Sequence, residues 1–176
     1  MAIVIRPARL GDCDALAEVH TLGWQRGLLG VVSADYLRSL DVATSAAMWK
    51  SRLADPDPAT RTLVADIDGD VVGLAGYGRS YDPDLPFTGT VHIGELWLLY
   101  VHPDRWRSGI GRLLHDAALV ALAAEEFTLA RLWVVAGNER AIAFYRRQGW
   151  KLEHLTRVMT GGEASWTEHR YRRALV

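Results

Sequence analysis

The chain has 176 residues and a mass of 19.5 kDa, 49% hydrophobic and 23% charged, which is enough to bury a continuous core and excludes wholesale disorder. A formal net charge of −1 and a pI near 6.6 argue against nucleic acid or an anionic membrane as partner, because both select a strongly basic face. One cysteine, Cys13, excludes an internal disulfide and a cysteine-rich zinc site, and fits a reducing compartment. The expectation is a single domain over residues 1–176, cytoplasmic, acting on a small soluble ligand.

Residues 3–6 alternate as a strand does, with no apolar signal-peptide core, and Gly11-Asp12 offers an N-cap for a helix running to about Trp24. Further helical stretches begin near Ser33 and Ser45, and Asp55-Pro56-Asp57-Pro58 ends the second. Residues 63–67 and 71–75 flank Asp68-Gly69-Asp70 as a hairpin. Residues 82–89 read as loop, and 91–101 as a long apolar strand stopped by Pro103 and central in a sheet. Residues 109–127 form the best helix, with Leu113, Ala117, Val120, Ala121 and Ala124 as the stripe facing the sheet. Its most apolar part, residues 113–124, is interrupted by His115 and Asp116 and is too short for a membrane span. A strand over 129–135, a helix over 138–148 ended by Gly149, and strands over 151–159 and 168–174 joined across Gly161-Gly162 complete the chain.

The chemistry concentrates where the strand ending Leu99-Tyr100-Val101 feeds through Trp106-Arg107-Ser108-Gly109-Ile110-Gly111-Arg112 into the long helix. A helix start leaves N–H groups unpaired and partly positive, and glycines let an anion reach the backbone, so this turn suits a phosphate. Arg107 and Arg112 add charge. The Lys-Ser/Thr ending of a nucleotide P-loop is missing, and Leu114 stands where G-x-G-x-x-G needs its third glycine, so ATP and NAD are disfavoured.

This segment resembles the signature Q/R-x-x-G-x-G/A of the GNAT superfamily of acetyl-CoA-dependent N-acetyltransferases, with Trp106 at the Gln/Arg position and Gly109-Ile110-Gly111 in register. A second segment, from Asn138 through Ala141, Phe144-Tyr145 and Gly149-Trp150, resembles the family's N-x-x-A-x-x-F-Y-x-x-x-G-F/W. The resemblance covers nearly the whole chain. It implies an α/β (α+β) fold with a mixed six- to seven-stranded sheet, about four helices, and central strands splayed at the cofactor site. The implied cosubstrate is acetyl-CoA, held by Leu99, Tyr100 and Val101 along its pantetheine, by residues 106–112 at its diphosphate, and by Asn138, which is also a good helix N-cap. Phe144 and Trp150 read as core aromatics.

Amide formation needs a neutral amine, and an alkylammonium with a pKa of ~10.4 must first lose a proton. Glu95 is the only acid in the run 91–101, and the resemblance places a base carboxylate on this strand; a carboxylate facing solvent or paired with an arginine is the alternative. His92 is the reserve base. The resemblance also implies a backbone N–H near Leu99 or Tyr100 for the developing oxyanion and Tyr145 as the acid for the leaving thiolate, against a merely structural tyrosine. Cys13, between Asp12 and Asp14, should be a poor nucleophile, so direct transfer is expected. The six histidines show no metal-binding spacing, and no metal is expected.

Trp24 to Gly30 resembles the family's acceptor loop, with Leu28 in place of a tyrosine, so Trp24 either lines the acceptor pocket or packs in the first helix. Residues 81–90, with Asp82 and Asp84, should form the other wall. The expected acceptor is a primary amine of a small molecule. A protein N-terminus, a lysine side chain, a non-catalytic acyl-CoA sensor and a partner-binding module are the alternatives, and a homodimer stays open.

Overall fold

The computed structural model describes residues 2–81 and 92–175. Among them seven strands form one sheet in the order β1-β2-β3-β4-β5-β7-β6. These are β1 (Ile3–Pro7), β2 (Thr60–Ile67), β3 (Asp70–Arg79), β4 (Ile93–Val101), β5 (Leu129–Val135), β6 (Lys151–Gly161) and β7 (Ala164–Ala174). Five α-helices accompany them rather than about four: α1 (Cys13–Gly27), α2 (Ala34–Ser39), α3 (Val42–Ala54), α4 (Ile110–Ala124) and α5 (Glu139–Arg147). Residues 33–54 hold two of them, as the helical starts near Ser33 and Ser45 led one to expect. Ser33 caps the first by accepting the Tyr36 N–H, and Asp41 caps the second by accepting the Thr44 N–H at 2.7 Å.

The β2–β3 hairpin turns on Asp68 and Gly69, both at positive φ, the geometry that matches strand twist. The Asp66 carboxylate accepts the Gly69 N–H at 2.7 Å and fixes that turn. Asp12 precedes α1 but does not cap it: its carboxylate turns back to the Arg9 N–H and to the Arg6 guanidinium, which also holds Asp66. One arginine thus ties β1, β2 and the start of α1 together.

The sheet is covered on both faces. On one, Leu16 and Val19 of α1 and Trp49 of α3 pack on Val64 and Leu74. On the other, α4 buries Ile110, Leu114, Ala118, Leu119 and Leu122 against Ala75, Leu96, Leu132 and Val134. The expected α4 stripe is therefore wrong, since Leu113 is 45% and Val120 70% exposed. Residues 117–124 are all apolar, so periodicity admits more than one face, and His115 looked like an interruption. In fact His115 is wholly buried, its Nε2 accepting from Trp150 Nε1 at 2.9 Å and its Nδ1 bonded to Asp116 at 2.8 Å.

β4 and β5 run parallel, joined by α4 as a crossover. They pair only at Ile93↔Leu129, Gly94↔Ala130 and Glu95↔Arg131. Beyond Glu95 the two central strands separate, and everything that follows depends on that gap.

Candidate active site

The split begins beside a β-bulge. Leu98 pairs with Gly76 and Leu96 with Tyr77, so Trp97 is the extra residue on β4, and the strand bends there. A cavity of about 460 Å3 opens between the strands, lined by Glu95 and its successors on β4, by residues 133–135 of β5, by Asn138, Arg140, Ala141 and Tyr145, and by Trp24 and Trp106. The β4 side chains reach it from two faces. A Cβ on Gly94 would meet Leu122 and Phe127 under α4, which turns Glu95 to the α1 face. Past the bulge, Leu98 and Tyr100 pack on the α1 side and Leu99 and Val101 on the α4 side.

At the far end of β4 the chain reaches α4 through a short turn. Arg107 and Gly109 adopt positive φ of 63° and 86°, and the first amides bonding into the helix are those of Arg112 and Leu113, both to the Gly109 carbonyl. The amides before them are those that a helix start leaves for an external acceptor. Space is available too: a Cβ on Gly109 would meet nothing within 4 Å, and one on Gly111 only Val101 Cγ2 at 3.6 Å. A diphosphate beside this turn and a pantetheine arm along the open β4 edge fit these residues. Arg112 shares its charge with Asp116 at 3.4 Å. Trp106, at the signature's Gln/Arg position, donates its indole N–H to the Val101 carbonyl at 2.8 Å and so ties the turn to the strand end.

Glu95 is 9% exposed, and its Oε2 accepts the Ser80 hydroxyl at 2.8 Å, which fixes the carboxylate's orientation. Tyr145, on α5, is also 9% exposed and lines the same cavity. Burial pushes its phenol well above the ordinary range, so it stays protonated at all physiological pH. Asn138 caps α5, its side chain accepting the Ala141 N–H at 3.3 Å, and lines the cavity as well. Tyr100 sends its ring toward α1 at 4.9 Å from His20. Trp24 lines the cavity and also packs with Tyr36 and Trp166, so pocket wall and core coincide. His92 is exposed, just before β4 begins, and is not among the residues lining the cavity. Cys13 is buried, and burial, followed by Asp14 and Asp12, raises its thiol pKa. The loop carrying Asp82 and Asp84 lies outside the described residues.

Several lining residues escaped sequence reasoning. His20 is neutral, its pKa lowered to about 4 by burial and then by Arg52. Trp133 lies under the Arg157 guanidinium at 4.3 Å, and Arg157 in turn pairs with Glu168 at 2.7 Å. A second hollow of about 290 Å3, lined by His20, Trp24, Tyr36 and Met48 among others, adjoins on the α1–α3 side and shares three of these residues with the first. Only the alternation of β7 hinted at Glu168, and its side is set by strand order.

The family model described as "Acetyltransferase (GNAT) family" matches residues 29–150. The chain belongs to the GNAT family. The uncharacterized N-acetyltransferase YuaI of Bacillus subtilis is 30% identical over 145 residues, 82% of this chain and 78% of its own. Among solved structures, the PaiA N-acetyltransferase of Thermoplasma acidophilum in complex with coenzyme A superposes with a TM-score of 0.76 at 22% identity, covering 99% of each chain. The ribosomal-protein-alanine N-acetyltransferase of Brucella melitensis does so at 0.71 and 26% identity, covering 98% of this chain and 99% of its own. This GNAT chain is thus an acyltransferase with acetyl-CoA as cosubstrate, and its splayed mixed sheet is the expected fold. Among the described residues no cluster of His, Cys, Asp and Glu is placed to hold a metal, and no helix is long and apolar enough to cross a membrane.

Proposed function

We propose that this GNAT enzyme acetylates the primary amine of a small molecule by direct attack, with Glu95 as general base and Tyr145 as general acid. The observation that carries the reading is that both groups line one cavity at the β4–β5 split, Glu95 turned to the α1 face and Tyr145 supplied by α5 under the opposite face. The bound cosubstrate supplies the activated acetyl thioester. Glu95 accepts the proton of the incoming ammonium, directly or through a water, and the freed nitrogen lone pair forms the new C–N bond as the C–S bond breaks. The surplus proton the nitrogen then carries passes to water, from which Tyr145 is reprotonated. A backbone N–H near Leu99 or Tyr100 faces the charge that builds on the thioester oxygen. Tyr145 then protonates the leaving sulfur. Its raised pKa does not bar this, because the burial that disfavours a phenolate disfavours a thiolate in the same place.

The small-molecule part rests on enclosure. Trp24, Met48 and Trp133 line the cavity, and Trp24 is braced from behind by edge contacts with Tyr36 and Trp166 at centroid distances of 6.1 and 5.2 Å. A compact amine buries its whole surface there. The test is acetyl-CoA consumption against a panel of amino acids, polyamines, aminoglycosides and N-terminal peptides. Turnover confined to the peptides would replace the small acceptor by a protein terminus, and cofactor binding without turnover on any amine would leave an acyl-CoA sensor.

A further inference from the structure

The cofactor turn contains a contact that the family signature does not call for. Arg140, in the first turn of α5, places its Cζ 3.3 Å from the centroid of the Trp106 ring, a close guanidinium–indole stack. Trp106 is itself pinned by the 2.8 Å bond from its Nε1 to the Val101 carbonyl. On the other side the guanidinium meets the end of α1, where a Cβ added to Gly27 would come 3.0 Å from Arg140 Nη2. Three elements therefore hold one cation at the mouth of the split.

That cation has no acidic partner among the described residues. Arginines at the end of α1 and the start of α4 do: Arg26 pairs with Asp104 at 2.7 Å and Arg112 with Asp116 at 3.4 Å. Arg140 instead shares its surroundings with another cation, Arg107, on the turn whose amides are open. Burial first, and Arg107 second, push the Arg140 pKa below its ordinary value. Two like charges, one of them on the turn whose amides are open and the other stacked on Trp106 of the same turn, favour an anion.

We propose that Arg140, shelved on the Trp106 indole, is a ligand of the cofactor diphosphate, and that Trp106 replaces the signature Gln/Arg by positioning this arginine from α5. The proposal rests on acetyl-CoA occupying the split and names a binding residue that neither motif identifies. The flat guanidinium suits it, since its fork of N–H donors matches phosphate oxygens while its face stays on the ring.

The test compares acetyl-CoA, its 3′-dephospho form and S-acetylpantetheine, which lacks the diphosphate, by calorimetric affinity and by kcat/KM. Arg140→Gln should weaken binding of the first two by about tenfold or more and flatten the salt dependence of their affinity, with no comparable loss for S-acetylpantetheine. Arg140→Lys should recover only part of the loss, because lysine keeps the charge without the fork. Trp106→Leu should reproduce the selective loss, whereas Trp106→Phe, which keeps a ring face, should retain more affinity. Equal losses for all three ligands would mean that Arg140 shapes the channel and would overturn the proposal. A loss confined to acetyl-CoA would move the contact to the 3′-phosphate. Unchanged affinity throughout would remove Arg140 from the site, and failure of the wild type to bind any of them would instead remove the cofactor site from this split.

Discussion

At the scale of single residues, the cavity's titratable groups are asked to do opposite things. On the proposed mechanism Glu95 accepts a proton while held by Ser80, and Tyr145 keeps one until sulfur departs. Glu95→Gln and Tyr145→Phe should each lower kcat by ~10² or more with cofactor affinity retained. The Gln variant's residual rate should keep rising toward the amine's own pKa of ~10, which a pH–rate profile would register. Near-wild-type kcat in both would move catalysis to His92 or to positioning of an already neutral amine. His20 offers a separate measurement. Its folded pKa of about 4 lies below the ordinary 6.5, so the unfolded chain binds the extra proton first, and stability present above pH 6.5 is lost as pH falls toward 4. At pH 5 that loss is about 2 kcal/mol. His20→Gln should flatten the acid limb of urea-midpoint against pH between 7 and 4.5; an unchanged slope would assign the limb to other groups.

At the scale of elements, α4 separates what local pattern reveals from what it does not. The turn before it was legible because Gly109, at φ 86°, marks a backbone need that no other residue type serves as well. Its buried face was not legible, because an all-apolar run has no polar edge to set the phase. The structure ranks the substitutions plainly. Trp150→Phe strands the His115 acceptor in the core and should cost ~1–3 kcal/mol in chemical denaturation. Val120→Ala, on the exposed side, should stay within about 0.5 kcal/mol. The opposite order would restore the stripe read from the sequence. Helix α5 was legible for a different reason: Asn138 as its cap and Gly149 at φ 83° just beyond its end are strong punctuation.

At the scale of the whole molecule, the missing information was long-range. The β6–β7 hairpin is apparent around Gly161-Gly162, yet nothing local says that β7 rather than β6 pairs with β5. That insertion turns Glu168 toward the cavity and brings Arg157 over Trp133. The same architecture makes the fold's stability depend on the cofactor. A ligand held by the native split and not by the unfolded chain should add about 2.7 kcal/mol at 100-fold excess over its Kd, read as a concentration-dependent rise in melting temperature. No rise with acetyl-CoA would contradict the site.

The parting of β4 from β5 after Glu95 has one further consequence. Most proteins keep unpaired strand edges at their periphery, where short length, charge or twist guards them against strand addition. Here two edges lie in the middle of the sheet, residues 96–101 facing residues 132–135 with no partner strand between them. With no ligand strand to pair them, backbone amides on that inner margin should exchange with deuterium far faster than those of β3, which is hydrogen-bonded on both sides. Acetyl-CoA should slow exchange along β4 while leaving β1 and β2 untouched. Slowed exchange along β4 would mean that the cosubstrate supplies the strand this sheet leaves out between β4 and β5.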